Sequence, residues 1–155
     1  MSESAAEQTS VRAGFRAASK VMGYRNEALE GQPRAHVKDR WVAIVDDHRS
    51  VRSCLTRVMR LEGIRAAEFA SAEEYLDHSA PTAPCCVVLD VQLPGMSGYE
   101  LAELLERERP PLPPIIFISA HEDLLASIDG EGRAHGRLRK PFEMDALLEL
   151  VKPLL

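Results

Sequence analysis

"CCVVLDVQLPGMSGYEL" (residues 85–101) decides how this chain folds. Its first seven residues, Cys85 to Val91, read as a buried strand broken by one acid, Asp90. A turn built on Pro94-Gly95 follows, and the helical pattern of "SGYELAELLERER" (97–109) runs on until the prolines at 110 and 111 halt it. A carboxylate at the carboxyl end of a core strand is costly to desolvate unless a charge lies beside it. The rest of the sequence has to supply that charge.

Working outward, strand and helix patterns alternate from residue 41 to the end. "WVAIVDD" (41–47) reads as a buried strand. "RSVRSCLTRVMRLEG" (49–63) places Val51, Leu55, Val58 and Met59 on one helical face and stops at Gly63. "IRAAEFA" (64–70) is a weaker strand, and "SAEEYLDH" (71–78) a short helix with a Ser71–Glu74 capping box. "IIFISA" (115–120) is a core strand and "HEDLLASIDGEG" (121–132) a weak helix. "HGRLRK" (135–140) is a poor strand by propensity, and "FEMDALLELV" (142–151) is the closing helix.

This alternation predicts an α/β fold: right-handed crossovers and a parallel sheet with helices on both faces. In such sheets the site lies at the carboxyl ends of the strands. Asp46 and Asp47 end the first strand, Asp90 the third, Ser119 the fourth and Lys140 the fifth. All five therefore fall on one edge of one sheet.

Three carboxylates in one cleft repel, by about 4 kcal/mol for a pair 4 Å apart at an effective dielectric of 20. One lysine neutralises only one of them. An all-oxygen set favours a hard divalent ion such as Mg2+, which is commonly held by one or two carboxylates together with a phosphate. The residues thus predict both a metal and a phosphoryl group. A carboxylate can attack a phosphoryl donor and become an acyl phosphate. In this reading Asp90 is the nucleophile, and Asp46, Asp47 and Asp90 hold the metal with the backbone carbonyl of Gln92. Ser119 senses the phosphoryl group and Lys140 pairs with it.

Composition narrows the function classes. A chain of 155 residues with 45% hydrophobic and 28% charged content suits about one globular domain. Its net charge of −5 argues against direct DNA binding. No apolar run reaches the roughly 20 residues that cross a bilayer, and no signal peptide opens the chain, so a cytoplasmic protein is expected. Cys54, Cys85 and Cys86 read as buried thiols in a reducing compartment. His48, His78, His121 and His135 lack ligand spacing and read as surface residues. Residues 1–40 carry a net +2 against −7 for the remainder. They read as a disordered extension with an amphipathic helix near 10–22 on Val11, Phe15, Ala18 and Met22.

Residues 41–155 resemble a response regulator receiver domain. The resemblance rests on "VDD" (45–47), "LDVQLPGMSGYEL" (89–101), "ISA" (118–120) and "KPF" (140–142), in order and at the family's spacing. It is nearest to receivers of the nitrogen-fixation and nitrate-response type. The resemblance implies a doubly wound, flavodoxin-like fold of five parallel strands in the order 2-1-3-4-5, an arrangement illustrated by a member of this family. It also implies phosphorylation of Asp90 by a histidine kinase with Mg2+, in a phosphorelay of two-component signalling. The expected partners are a histidine kinase or phosphotransfer protein and a downstream protein, and a homodimer is compatible with the reading.

No output module is read after Lys140, so output is expected through protein contacts, and the chain is not expected to be a dedicated enzyme. The rivals are a constitutive, phosphorylation-independent interaction module and a phosphate sink. A phosphatase using an aspartyl phosphate is disfavoured by Gln92, which stands where a second acid would be needed. One position departs from the pattern: Arg137 replaces the Tyr or Phe that in the family swings inward on activation. With the Gly- and Arg-rich stretch 129–139, this predicts a mobile or remodelled fourth helix.

Overall fold

The computed structural model describes residues 40–128 and 134–155. The amphipathic helix expected near 10–22 lies outside them. Within them five strands form one parallel sheet in the order β2-β1-β3-β4-β5. The strands are β1 (Trp41–Val45), β2 (Arg65–Phe69), β3 (Cys86–Asp90), β4 (Ile115–Ser119) and β5 (Ala134–Arg139). The connecting helices are α1 (Arg49–Leu61), α2 (Ala72–Asp77), α3 (Gly98–Glu108), α4 (Glu122–Ala126) and α5 (Met144–Val151), the last running into a 3-10 turn at Lys152–Leu154. The doubly wound α/β fold and its strand order are those the sequence predicted.

Every residue of β1, β3 and β4 is buried, which is why these strands read as unbroken apolar runs rather than alternating ones. Their side chains still divide by face. Ala43, Val45, Val87, Leu89, Ile115 and Phe117 pack with Tyr75 of α2, Leu101 and Leu105 of α3 and Leu125 of α4. Val42, Ile44, Val88, Ile116 and Ile118 pack with Leu55 and Met59 of α1 and Leu147 and Val151 of α5. Trp41 anchors β1 from its start, its indole N–H donating to the Thr82 carbonyl at 3.0 Å.

Helix boundaries follow capping chemistry. Ser97 and Glu100 form a full capping box at the start of α3: each side chain accepts the other's backbone N–H. The two bonds from Ser97 hold the Glu100 carboxyl below its ordinary value. At α2 only half of the predicted box forms. Ser71 accepts the Glu74 N–H, but the Glu74 carboxylate turns to the N–H of Ala70 at 2.6 Å. Gly63 ends α1 at φ +73, the left-handed conformation that glycine adopts without steric cost.

One expectation needs correction. Cys54 is not a buried thiol: it lies exposed on α1, and Cys85 is only partly covered, whereas Cys86 is fully buried. The apolar stripe of α1 turns Leu55 and Met59 to the sheet and leaves position 54 outward. The weak fourth helix is short, five residues. The stretch 129–133, on which the expectation of mobility also rested, lies outside the described residues.

Candidate functional site

Strand β1 ends at Val45, so Asp46 and Asp47 emerge at its carboxyl end, and Asp90 and Ser119 close β3 and β4. Lys140 follows β5 directly, its backbone N–H donating to the Ser119 carbonyl at 2.8 Å. Asp46, Asp90 and Ser119 are the buried polar side chains among the described residues. The ammonium of Lys140 joins two of them, lying 2.6 Å from Asp46 Oδ2 and 2.6 Å from Asp90 Oδ2. The charge that Asp90 requires is thus supplied from 50 residues away.

Each acid is also held by backbone. Asp46 Oδ1 accepts the His48 N–H at 2.8 Å, and Asp90 Oδ1 accepts the Gln92 N–H at 2.9 Å. Ser119 Oγ accepts the His121 N–H at 3.0 Å. Gln92 therefore enters the site through its backbone N–H. Burial pushes the Asp90 carboxyl above its ordinary value, against the opposing pull of Lys140 and the Gln92 N–H. Burial alone would lower Lys140, but its hydrogen bonds to Asp46 and Asp90 prevail and raise it. The ammonium stays charged across the neutral range.

Three supporting residues escaped the sequence reading. The Arg52 guanidinium on α1 donates to the backbone carbonyls of Asp46 at 2.6 Å and Asp47 at 3.0 Å, fixing the turn that carries both acids. Glu73 on α2 accepts the Met96 N–H at 2.9 Å and so holds the loop leaving Asp90. Gly98 lets α3 begin directly against that strand end, since a Cβ there would lie 2.2 Å from the Asp90 carbonyl oxygen. All three depend on contacts between elements, which spacing along the chain does not reveal.

The donor chemistry fits one hard divalent cation. One ligand atom from each of Asp46, Asp47, His48 and Asp90 lies within 4.8 Å of all the others, and three of the four are carboxylate oxygens. His48, read from sequence as a surface residue without ligand spacing, belongs to this cluster, because the β1–α1 turn folds it back toward the acids. His78, by contrast, packs edge-on against the rings of Trp41 and Phe69, at 5.8 and 5.0 Å.

Residues 42–152 match the response regulator receiver domain. The chain belongs to that family. It is 39% identical over 111 residues to nodulation protein W of Bradyrhizobium diazoefficiens, covering 71% of this chain and 48% of that one. It is 35% identical to the DNA-binding transcriptional regulator NtrC of Klebsiella pneumoniae, covering 70% of this chain and 23% of that one. The chain thus spans about half or less of these curated relatives. Among solved structures it resembles TrrA of Thermotoga maritima in complex with Mg2+–BeF, at 28% identity and a TM-score of 0.66, covering 75% of this chain and 99% of that one. It also resembles the response regulator StyR, at 38% identity and a TM-score of 0.65, covering 76% of this chain and 59% of that one.

This receiver is therefore a component of two-component signalling, of the type expected from its motifs. Among the described residues no helix is long and apolar enough to cross a membrane. The departure at Arg137 has a structural counterpart: its guanidinium donates to the Ile128 carbonyl at 2.5 Å, just past α4. Ser127, beside that carbonyl, shares a 3.1 Å hydrogen bond with the Tyr99 hydroxyl of α3. The end of α4 is thus tied to β5 and to α3 by polar contacts.

Proposed function

We propose that this receiver accepts a phosphoryl group on Asp90 from a histidine kinase or phosphotransfer protein and signals the change to a downstream protein. In this reading Asp46, Asp47, Asp90 and the Gln92 carbonyl hold Mg2+, which when bound neutralises charge on the transferring oxygens. The observation that carries the proposal is the double contact of Lys140. One ammonium 2.6 Å from both Asp46 and Asp90 gathers the ends of β1, β3 and β5 around one carboxylate.

The chain's own residues then divide the work. A bond forms between an Asp90 oxygen and phosphorus as the phosphorus–nitrogen bond of the donor histidine breaks, its electron pair returning to the imidazole. The Gln92 N–H fixes the carboxylate's rotation by holding Oδ1. Lys140, which arrives with a full positive charge, offsets the negative charge the new group brings. Ser119 Oγ already accepts one N–H, so its hydroxyl hydrogen is free to bond a phosphoryl oxygen. Ser119 and Lys140 are joined through their backbones, so a displacement of one is transmitted to β5. Output passes from there through the face formed by α4, β5 and α5, biasing a two-state contact with the partner. The similarity to TrrA supports the same reading, since that protein was solved in complex with Mg2+–BeF.

The test is labelling with a small acyl-phosphate donor and Mg2+. Label is expected on the wild-type chain and none on Asp90→Asn. Full label on Asp90→Asn would refute the assignment. Partner capture with and without beryllofluoride separates the switch from a constitutive module, which would bind equally in both states.

A further inference from the structure

His48 immediately precedes α1, and its side chain is 66% exposed. Exposure would ordinarily leave an imidazole to solvent. Here its Nδ1 lies 2.8 Å from Asp47 Oδ1 and 3.5 Å from Asp46 Oδ1, while its backbone N–H holds that same Asp46 oxygen. With Asp90 the three residues bring four donors within 4.8 Å of one another. Donors around a four-coordinate zinc ion stand about 2.0–2.2 Å from it, so its ligands lie roughly 3.4 Å from one another. The cluster reaches that spacing by drawing in by roughly 1 Å, and the Asp47 and His48 side chains that would move are exposed.

We propose that His48 is a fourth side-chain ligand of the cation site and makes it a binding site for a borderline divalent transition ion, Zn2+ being the type, in competition with Mg2+. The inference rests on the reading of Asp46, Asp47 and Asp90 as cation ligands and extends it to which ions they accept. An all-oxygen set favours hard ions, and Mg2+ gains little from an imidazole because it keeps several waters. An added imidazole selectively strengthens binding of the ions that follow the Irving–Williams order. Three carboxylate oxygens and one imidazole nitrogen are also donors of the kinds that zinc accepts from side chains.

Being exposed, the His48 ring can turn toward the ion without a packed neighbour to displace. Such a site uses the same carboxylates as Mg2+, so the two ions compete for it. The chemical class of ligand is therefore a first-row divalent transition ion.

The test is calorimetric titration of the full chain with MgCl2 and, separately, with ZnCl2, for wild type and His48→Ala. The substitution keeps the backbone N–H that binds Asp46. The Zn2+ affinity is expected to fall at least tenfold further than the Mg2+ affinity, and the visible absorption of bound Co2+ to lose intensity in the variant. A smaller difference between the two ions overturns the proposal, because His48 would then only shape the turn. Wild-type chain that binds neither ion overturns it together with the cation reading of the acids. Wild-type chain that binds Mg2+ but takes no label at Asp90 sinks the phosphoacceptor reading alone, and the ratio of affinities still judges His48.

Discussion

The carboxylate of Glu73 meets the backbone N–H of Met96 at 2.9 Å, so a helix on one side of the sheet governs the loop that leaves the acceptor strand. Gly95 makes room for it: a Cβ at that position would lie 2.9 Å from Glu73 Oε1, and φ there is +75. Hydrogen bonds to charged groups contribute about 1.5–3 kcal/mol, less when partly exposed. Glu73→Ala is expected to lower unfolding free energy by about 1 kcal/mol and to weaken Mg2+ binding. Glu73→Gln keeps an accepting oxygen and should restore most of both. Urea unfolding and calorimetry check this; a Gln variant as impaired as the Ala variant would mean that the charge, not the bond, matters.

Lys140 is the cation that makes burial of two acids tolerable. Removing one partner of a buried ion pair costs about 3–5 kcal/mol, and the Lys140 side chain is 18% exposed, which points to the lower end. Lys140→Met is expected to lose about 3 kcal/mol in chelator and less in millimolar Mg2+. Equal losses in the two conditions would contradict the placement of the cation beside these acids.

The pH dependence of this pair has a definite sign. Lys140 titrates above its ordinary 10.5 in the folded chain, so its contribution is complete below pH 10.5 and disappears as pH rises through the raised value. The wild-type chain should therefore lose more stability above pH 10.5 than Lys140→Met does. Thermal melts at increasing pH would reveal parallel losses if the idea is wrong.

Asp90 is displaced upward from 3.8 by its burial, so its contribution is favourable below pH 3.8 and lost as pH climbs through the raised value. At neutral pH the ionised acid is a liability that function requires. Asp90→Asn is accordingly expected to melt higher than wild type at pH 7 without divalent ions, the advantage closing toward pH 3.8. A lower melting point for the variant at pH 7 would count against this.

The three thiols should separate kinetically. Burial, with Cys85 alongside, raises Cys86 to about 12, so it remains a protonated, inaccessible thiol at neutral pH. Iodoacetamide is expected to modify exposed Cys54 first and Cys86 only at the rate of unfolding, as read by mass spectrometry. Rapid loss of the Cys86 thiol in native buffer would show that β3 opens.

What was legible in the sequence follows from what each element buries. β1, β3 and β4 are sheathed on both faces, so their apolar runs are conspicuous, and the acids that end them stand out by contrast. β5 is an edge strand with alternating half-covered residues, "AHGRLR", and its register against β4 jumps from Ala134 to Gly136. Propensity alone makes it a poor strand, though it forms at the expected place, Ala134–Arg139 against 135–140, and its glycine has a packing role, since a Cβ at Gly136 would lie 2.5 Å from Leu150 Cδ1. Asp46, Asp47, Asp90, Ser119 and Lys140 could be placed together because strand ends in a parallel sheet share one edge. His48, Arg52 and Glu73 could not, because their roles depend on how far a side chain reaches from one element to the next. Cys54 was misplaced for a related reason: an apolar neighbourhood in sequence is not a direction on a helix.

The close approach at Gly98 has a mechanical corollary. With no side chain to act as a spacer, the first turn of α3 rests on the peptide group of Asp90, and a methyl at that point would drive in as a wedge. Helix and acceptor are thereby welded into a single lever. A protein that grips α3 would have a handle on the acidic pocket itself, with no intervening hinge to absorb the pull.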